Sequence, residues 1–582
     1  MIFLVSSVLA SLLAVLIATQ KIHLVNFSLS KQILIVGLIW LCLAGIFYAS
    51  ITWLSSRSIT FRALFSTDGS WSDWFQKFFL AGFLIFPVSI ILFVQLKALI
   101  LLFLHQPVTG FYGSALPDTP LRSQITAFLV FGALLIFLVF RFGRAASIRR
   151  FLEELPDVYY VLIIFLLGSI ARIIFIELIN TQPRSDFALI ETDAALWAQG
   201  STPASLYVSS HVVQTLIYGV LYAVFGQNLL VLKLFHVVVY GLAGIFLYFT
   251  AKRVLGNKLW AGISGLLLVS WPSLALYSNV LTPEHMFILL ECALLFVLSL
   301  FFSNGEAGQG EKRTIARDLL LFLIIGLLVG LAGLFRPFGQ LFLVAFIVTL
   351  FLWRPEAKAV RSNIAGVLII LIASWSLGKI PDAVARAYNF QIPYIRPCNL
   401  LVGLNIDTAG RWNLDDYYLC KQIRSESASQ SEVTKRVLEI VRDRLQGKLN
   451  LFVPFLSNKF TLVWQNSGET LSWALPPDEE SSQKDIHLIN QVNVVDFVLM
   501  LIGTFACLAG TVIAFFRGLK PVVFFSLAVL FGFNFMEIFF EVQNRYRTVV
   551  MPLFIFFACW SCSALYLSLL KSKESIELST HP

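Results

Sequence analysis

The run YYVLIIFLLGSIARIIFIELI, residues 159–179, is one of about fourteen apolar stretches of roughly 17 to 25 residues, and this repetition restricts the chain more than any other feature. Inside a bilayer no water is at hand for backbone N–H and C=O groups, so each stretch must satisfy them internally, as an α-helix. Spans are expected near 2–19, 33–54, 77–104, 125–141, 158–180, 228–251, 257–277, 283–302, 317–335, 337–353, 362–380, 494–516, 520–541 and 548–570. With 58% apolar and only 13% charged residues, against about 25% charged in soluble domains, the chain reads as a polytopic membrane protein. Its opening, MIFLVSSVLASLLAVLIATQK, lacks a basic n-region and reads as a first retained span.

Charge sets an expected orientation. The Lys and Arg residues behind the net charge of +9 fall in short clusters between spans. These are Arg57 and Arg62, then Arg141, Arg144, Arg149 and Arg150, Lys252, Arg253 and Lys258, Lys312 and Arg313, Arg354, Lys358 and Arg361, and Arg517 with Lys520. By the positive-inside rule these loops, and a tail with Lys571 and Lys573, are cytoplasmic. Both termini are then inside, and no nucleic-acid partner is implied. The alternation holds only if 205–226 does not cross. Its apolar residues Val208, Val212, Val213, Leu216, Ile217, Val220, Leu221 and Val224 recur at helical spacing, while His211, Gln214, Tyr218 and Tyr222 take the other face, as in a helix lying in the interface.

The expected fold class is therefore an all-α polytopic membrane protein of about fourteen spans, with external juxtamembrane helices and a small inserted extracytoplasmic α or α+β domain. Four parts follow: a four-span extension over 1–157, a membrane core over 158–380 with its first external loop at 181–227, the inserted domain over 381–493, and the last three spans with a tail over 494–582. In the insert, SEVTKRVLEIVRDRLQ (431–446) has a serine cap and helical spacing at Val433, Val437, Ile440, Val441 and Leu445. Cys398 and Cys420 lie there, outside the reducing cytoplasm, and either a disulfide or two free thiols suits them. CWSC at 559–562 sits within a span and reads as packing.

No phosphate-binding glycine loop, HExxH motif or sizeable cytoplasmic domain is present, which argues against nucleotide-driven chemistry. Polar features gather instead on the expected outer side. Arg184 and Asp186 open the first core loop, Thr282, Pro283 and Glu284 begin a span, Arg336 and Pro337 sit at a turn, and EVQNRYR (541–547) precedes the last span. A carboxylate beside a hydroxyl acceptor can take its proton, and arginines suit a phosphate leaving group. Each has a plainer reading. Ser185 or Asp186 could cap a helix, Glu284 suits a helix first turn, and Arg336, Arg545 and Arg547 could anchor span ends to headgroups. His211 and His285 read as lining a polar interface. No pair with Asp186 or Glu284 shows ligand spacing, which weighs against a metal site there; a divalent metal is the one cofactor left open.

Seven pieces in order carry a family resemblance: SDFALIETDAALWAQG (185–200), LYAVFGQNLLVLKLFHVV (221–238), YSNVLTPEHMFILL (277–290), GLLVGLAGLFRPFGQLF (326–342), NLLVGLNIDTAGRWN (399–413), KFTLVW (459–464) and EVQNRYRTVVMPLF (541–554). From about 158 to 570 the chain resembles the C-superfamily membrane glycosyltransferases, in particular bacterial relatives of dolichyl-phosphate-mannose protein mannosyltransferases and of the lipid A aminoarabinose transferase. The resemblance implies an inverting transferase that moves a sugar from a polyprenyl-phosphate donor to an acceptor glycan, protein or lipid outside a bacterial plasma membrane. Asp186 matches the general base. Glu284 matches an acid that positions acceptor or metal. Arg336, Arg545, Arg547, Tyr546 and Lys459 match donor-phosphate contacts, and Arg184, His211, His285 and Asn405 match acceptor or site-lining positions. Two departures stand out. Relatives often have Pro near the start of the interfacial helix, sometimes preceded by Lys, where Ser210 and His211 stand, and an adjacent acid where Phe187 stands. A flippase for lipid-linked glycans, with Arg172 and Glu177 as its membrane charges, and a ligase using polyprenyl diphosphates are the alternative readings.

Overall fold

The computed structural model of the chain describes residues 86–98, 146–201, 209–302, 315–354, 357–388, 396–465, 467–476, 483–517 and 519–580. The expected spans at 2–19, 33–54 and 125–141 lie outside the described residues, and of 77–104 only the apolar helix Phe86–Ala98 is described. Every described element is helical, with no strand among the described residues. The chain is an all-α polytopic membrane protein.

Eight described helices are long and apolar enough to cross a bilayer: Asp157–Leu178, Leu229–Leu255, Glu284–Phe302, Ile315–Phe335, Val360–Ala387, Gln483–Thr511, Pro521–Phe539 and Asn544–Leu567. Two expected spans come out shorter. Gly339–Trp353 fills the 337–353 run, and the 257–277 run is broken in two. Proline pushes the residue before it out of the helical region. Trp271 accordingly has φ −59° and ψ 117°, ending Lys258–Ser270 and starting the short helix Pro272–Tyr277.

Contacts divide the chain into two compact units. The larger comprises Gly110–Pro393, Asn466–Phe533 and Arg545–Pro582. Its hub is Leu229–Leu255, which packs on Asp157–Leu178, Lys258–Ser270 and Glu284–Phe302. Close approach depends on small residues: a Cβ on Gly265 would lie 2.9 Å from the Gly244 carbonyl oxygen, a contact that real side chains do not make. In the most apolar window of the last span 83% of the residues are buried, against 17% for the Asp157–Leu178 span, which is the more lipid-facing of the two.

The interfacial helix, Ser209–Phe225, turns its two faces as a bilayer surface demands. Its polar side, with His211, Gln214, Thr215, Tyr218 and Tyr222, is buried in protein. Its apolar side is the exposed one, with Val220 at 62% and Val224 at 67%. The sequence spacing identifies the two faces, and the structure shows that protein takes the polar one.

The smaller unit comprises Met1–Thr109, Tyr394–Gln465 and Asn534–Asn544. Helices Arg396–Gly403, Leu414–Glu426, Gln430–Leu445 and Phe452–Trp464 surround a core of Leu401, Ile423, Val433, Val437, Val441 and Phe455. Cys398 and Cys420 form a disulfide across it, with Cα atoms 5.8 Å apart. Asn413 caps Leu414–Glu426 by accepting from Asp416 N, and Ser429, two residues before the expected cap, accepts from Glu432 N. Segment 467–476 and the helix from Gln483 belong to the larger unit.

Candidate active site

The site is assembled at helix ends of the larger unit. Between the Asp157–Leu178 span and the helix Asp186–Ala198, Ser185 takes φ 53°, a conformation costing about 1–3 kcal/mol in a non-glycine residue. Ser185 sits at the N-cap position without a side-chain cap bond, so the strained turn is not explained by capping. Asp186 is instead a first-turn residue, where the helix dipole favours its carboxylate. It is partly exposed, and among the described residues no side chain hydrogen-bonds or ion-pairs with it.

Phe187 points the other way and is buried. The Arg545 guanidinium lies 5.3 Å over its ring, 5.2 Å over Trp473 and 5.8 Å over Tyr546. Arg336 lies 5.6 Å over the same tyrosine, and Arg184 lies 5.3 Å over Trp473 while donating to the Ser472 carbonyl. Aromatic faces attract guanidinium groups and leave their in-plane N–H donors for anions. Glu284, wholly buried in the first turn of Glu284–Phe302, accepts from Arg336. Its Oε2 and the Arg336 Nε have no hydrogen-bond partner. His211 is buried nearby; burial first, then Arg336 and Arg545, push its imidazole down to about 3, so it is neutral at pH 7. The result is a group of arginines on aromatic faces, with the Nε atoms of Arg184, Arg336 and Arg545 making no hydrogen bond, one enclosed carboxylate with an unused oxygen, and an unpaired aspartate one residue from the Phe187 ring.

Residues 212–376 match the family model for dolichyl-phosphate-mannose-protein mannosyltransferase. The likeness to that family is carried by this segment of the chain. No curated protein matches it. Among solved structures it is similar to the archaeal oligosaccharyltransferase AglB from Archaeoglobus fulgidus in complex with an inhibitory peptide and a dolichol-phosphate, at 12% identity and TM-score 0.39 over 73% of this chain and 52% of that one. It thus spans about half the length of AglB. ArnT from Cupriavidus metallidurans bound to undecaprenyl phosphate is similar at 12% identity and TM-score 0.29, over 71% of this chain and 77% of that one.

Four residues that the family resemblance assigns to the site are committed elsewhere. Arg547 is buried and donates to Asp496 and Ser467, so its charge is already matched inside the protein. Lys459, fully buried in the smaller unit, gives its ammonium to the carbonyls of Gly403 at 2.7 Å, Phe540 at 2.8 Å and Ile538 at 3.2 Å. All three donors are used, and burial pushes the group down to about 8. Asn405, also in the smaller unit, donates to Asp416 at 2.8 Å and accepts from Asp407 N at 3.1 Å, holding its own turn. His285 is enclosed, with Nε2 2.8 Å from the Val280 carbonyl and Nδ1 3.2 Å from the Tyr240 hydroxyl.

His285 is half of a repeated device. His236, whose ring lies 4.4 Å from that of His285, has Nδ1 2.7 Å from the Ser278 carbonyl and Nε2 2.6 Å from the Tyr218 hydroxyl. A carbonyl only accepts, so each imidazole donates to the turn 278–282 and accepts from a tyrosine. Two Tyr–His–carbonyl chains therefore fix the turn that delivers Glu284, and Tyr218 ties the interfacial helix to it. Arg172 is likewise held within the protein, over the Tyr240 ring at 3.9 Å and donating to the carbonyls of Gly168 and Val269.

Sequence reasoning missed three contributors. Trp473 gives Arg545 and Arg184 their platform, and Phe187 puts an aromatic face beneath Arg545. Asp496 anchors Arg547, Trp271 and Ser273, and its signal was a lone acid in the apolar run VNVVDFVLM, where an ionisable residue faces inward by default. Among the described residues no three His, Cys, Asp or Glu side chains gather as a metal site.

Proposed function

We propose that the protein is an inverting glycosyltransferase that moves a sugar from a polyprenyl-phosphate donor to an acceptor hydroxyl outside a bacterial plasma membrane. Asp186 is the general base. Its carboxylate takes the acceptor proton as the hydroxyl oxygen bonds to the anomeric carbon. The bond from that carbon to the phosphate oxygen breaks, and its electron pair leaves with the polyprenyl phosphate. Arg545 and Arg336 hold the phosphate as its charge grows, with Tyr546 behind them and the neutral His211 lending an N–H. Arg184 and the Glu284 Oε2 meet sugar or acceptor hydroxyls, and a divalent cation at Glu284 is compatible with that oxygen. Acceptor class extends to cell-wall polymer, polysaccharide, protein or lipid.

The observation that supports this reading most is the pairing of opposites. A carboxylate without a protein partner stands at Asp186, and its neighbour Phe187 is stacked under an arginine of a cation cluster. Proton removal and phosphate stabilisation are both served within two residues of chain. A lipid-linked glycan flippase gains one observation: Glu291, inside the Glu284–Phe302 span, is buried with both carboxylate oxygens lacking a hydrogen-bond partner. Purified protein given polyprenyl-phosphate and polyprenyl-diphosphate sugars separates the readings. Transfer from the monophosphate that Asp186→Asn lowers by a hundredfold or more, within the range of about 10²–10⁴ for general-base catalysis, is expected. Retention of activity in that variant removes the base assignment.

A further inference from the structure

The disulfide-bonded smaller unit is fastened to the end of a membrane span. Within that unit, Glu541 N donates to the Asn399 carbonyl and Val542 N to the Gly410 carbonyl, each at 3.0 Å. Lys459 closes the same junction by donating to the carbonyls of Ile538 and Phe540. Gly403 packs so closely on the backbone of Phe540 and Glu541 that no Cβ fits there. Residues 538–542 are the last turn of the Pro521–Phe539 span and the few residues after it, so the 399–410 segment lies at the level where that span leaves the lipid. The lipid-facing character persists to the end: Phe535 is 49% exposed, and Phe539 and Phe540 are each 37% exposed.

An exposed aromatic patch begins two residues beyond the Gly410 junction. Trp412, Leu414 and Tyr418 are 52%, 56% and 60% exposed, and Tyr417 touches both aromatic rings of the patch, with centroids 6.3 Å from Trp412 and 5.4 Å from Tyr418. Two residues of extended chain reach about 7 Å, the thickness of one headgroup layer. The helix Leu414–Glu426 buries Asp416, Cys420 and Ile423, and its opposite face is apolar only in the first turn. Past Tyr418 that face is Lys421, Gln422 and Ser425, and Arg411 is exposed beside Trp412. A patch meant for a soluble partner has no reason to stop where the chain moves away from the span end. Tryptophan and tyrosine with flanking arginine and lysine are the composition of a membrane interface, where an apolar ring and a polar tip are both satisfied.

We infer that Trp412, Leu414 and Tyr418 form a lipid-contacting patch that seats the disulfide-bonded unit in the headgroup layer of the bilayer. Arg411 and Lys421 meet lipid phosphates, and the buried Lys459 and the backbone bonds at 541 and 542 set the depth. The occupant is the lipid surface, not an acceptor glycan or a protein.

The test is a depth measurement on the full chain in phosphatidylethanolamine–phosphatidylglycerol nanodiscs. A nitroxide is placed at Tyr418→Cys and, as a control, at Glu439→Cys on the exposed face of Gln430–Leu445. Collision with oxygen should be several-fold higher, and with a water-soluble nickel chelate several-fold lower, at 418 than at 439. Equal nickel accessibility at the two positions overturns the proposal and leaves the patch to a water-borne partner. If Tyr418→Cys fails to accumulate in membranes, Trp412→Cys carries the same comparison with the same two outcomes.

Discussion

Arg547 offers the sharpest contrast between a phosphate ligand and a structural anchor. Its guanidinium and the Asp496 carboxylate are both buried, at 2% and 0% side-chain exposure. Asp496 also accepts from Trp271 Nε1 at 2.5 Å, from Ser467 at 2.6 Å and from Ser273. Arg547→Met removes the only cation paired with that carboxylate among the described residues and leaves a buried charge on neutral donors, at a cost of about 3–5 kcal/mol. Against a total stability of about 5–15 kcal/mol this is severe. At roughly 2–4 °C per kcal/mol, the melting temperature in detergent should fall by about 10 °C. Asp496→Asn alone should be as damaging, because it strands the arginine. The double variant Asp496→Asn/Arg547→Met should recover much of the loss, since it removes both charges while the amide oxygen still accepts from Trp271. Melting by fluorescence-detected size-exclusion chromatography, run beside transfer kinetics, reads both properties. A stable Arg547→Met protein with a donor KM raised tenfold would refute the reasoning and restore Arg547 as a phosphate contact.

The paired histidine chains and the smaller unit each give a further test. Tyr218→Phe removes the hydroxyl between Gln214 and His236, leaving two buried groups unsatisfied at about 1–3 kcal/mol; the catalytic rate per folded molecule should fall with donor KM little changed, and wild-type kinetics would show that the turn needs no such tie. Burial pushes the Asp416 carboxyl up, but hydrogen bonds from Arg444, Asn405 and Asn413 outweigh it and hold the group below its ordinary range. A depressed carboxyl stabilises fully above the unfolded pKa of about 3.9 and loses that contribution as pH falls through the folded value. Hydrogen exchange of the 414–445 amides should therefore stay protected at pH 5 and open below about pH 3.9, whereas protection unchanged at pH 2 would contradict the role of Asp416.

The apolar runs were legible because a lipid-soluble segment has few ways to satisfy its backbone. From residue 158 onward each expected span overlaps a helix; Pro272 divides one, and the 362–380 run crosses the break between Leu377 and Ile380. The interfacial helix could be read from its spacing, but which face met protein depended on partners distant in sequence, His236 above all. Charged residues were the least legible. Arg545 and Arg547 are separated by one tyrosine and look alike in EVQNRYR, yet one stacks on three rings and the other is neutralised by Asp496, 51 residues away. Lys459 suggested a phosphate ligand and instead caps helix-end carbonyls, a use of lysine that shows only when those carbonyls are brought together. The Cys398–Cys420 bond was one of two readings that a position outside the reducing cytoplasm allowed.

The most direct measurement of the central claim is single-turnover transfer by purified protein from a polyprenyl-phosphate sugar of defined anomeric configuration, with mass spectrometry and NMR of the product and an Asp186→Asn control. The predicted result is a glycoside of opposite anomeric configuration, one polyprenyl phosphate released per sugar transferred, and loss of both in the variant. Transfer with retained configuration, transfer only from the diphosphate, or full activity without the Asp186 carboxylate would contradict it.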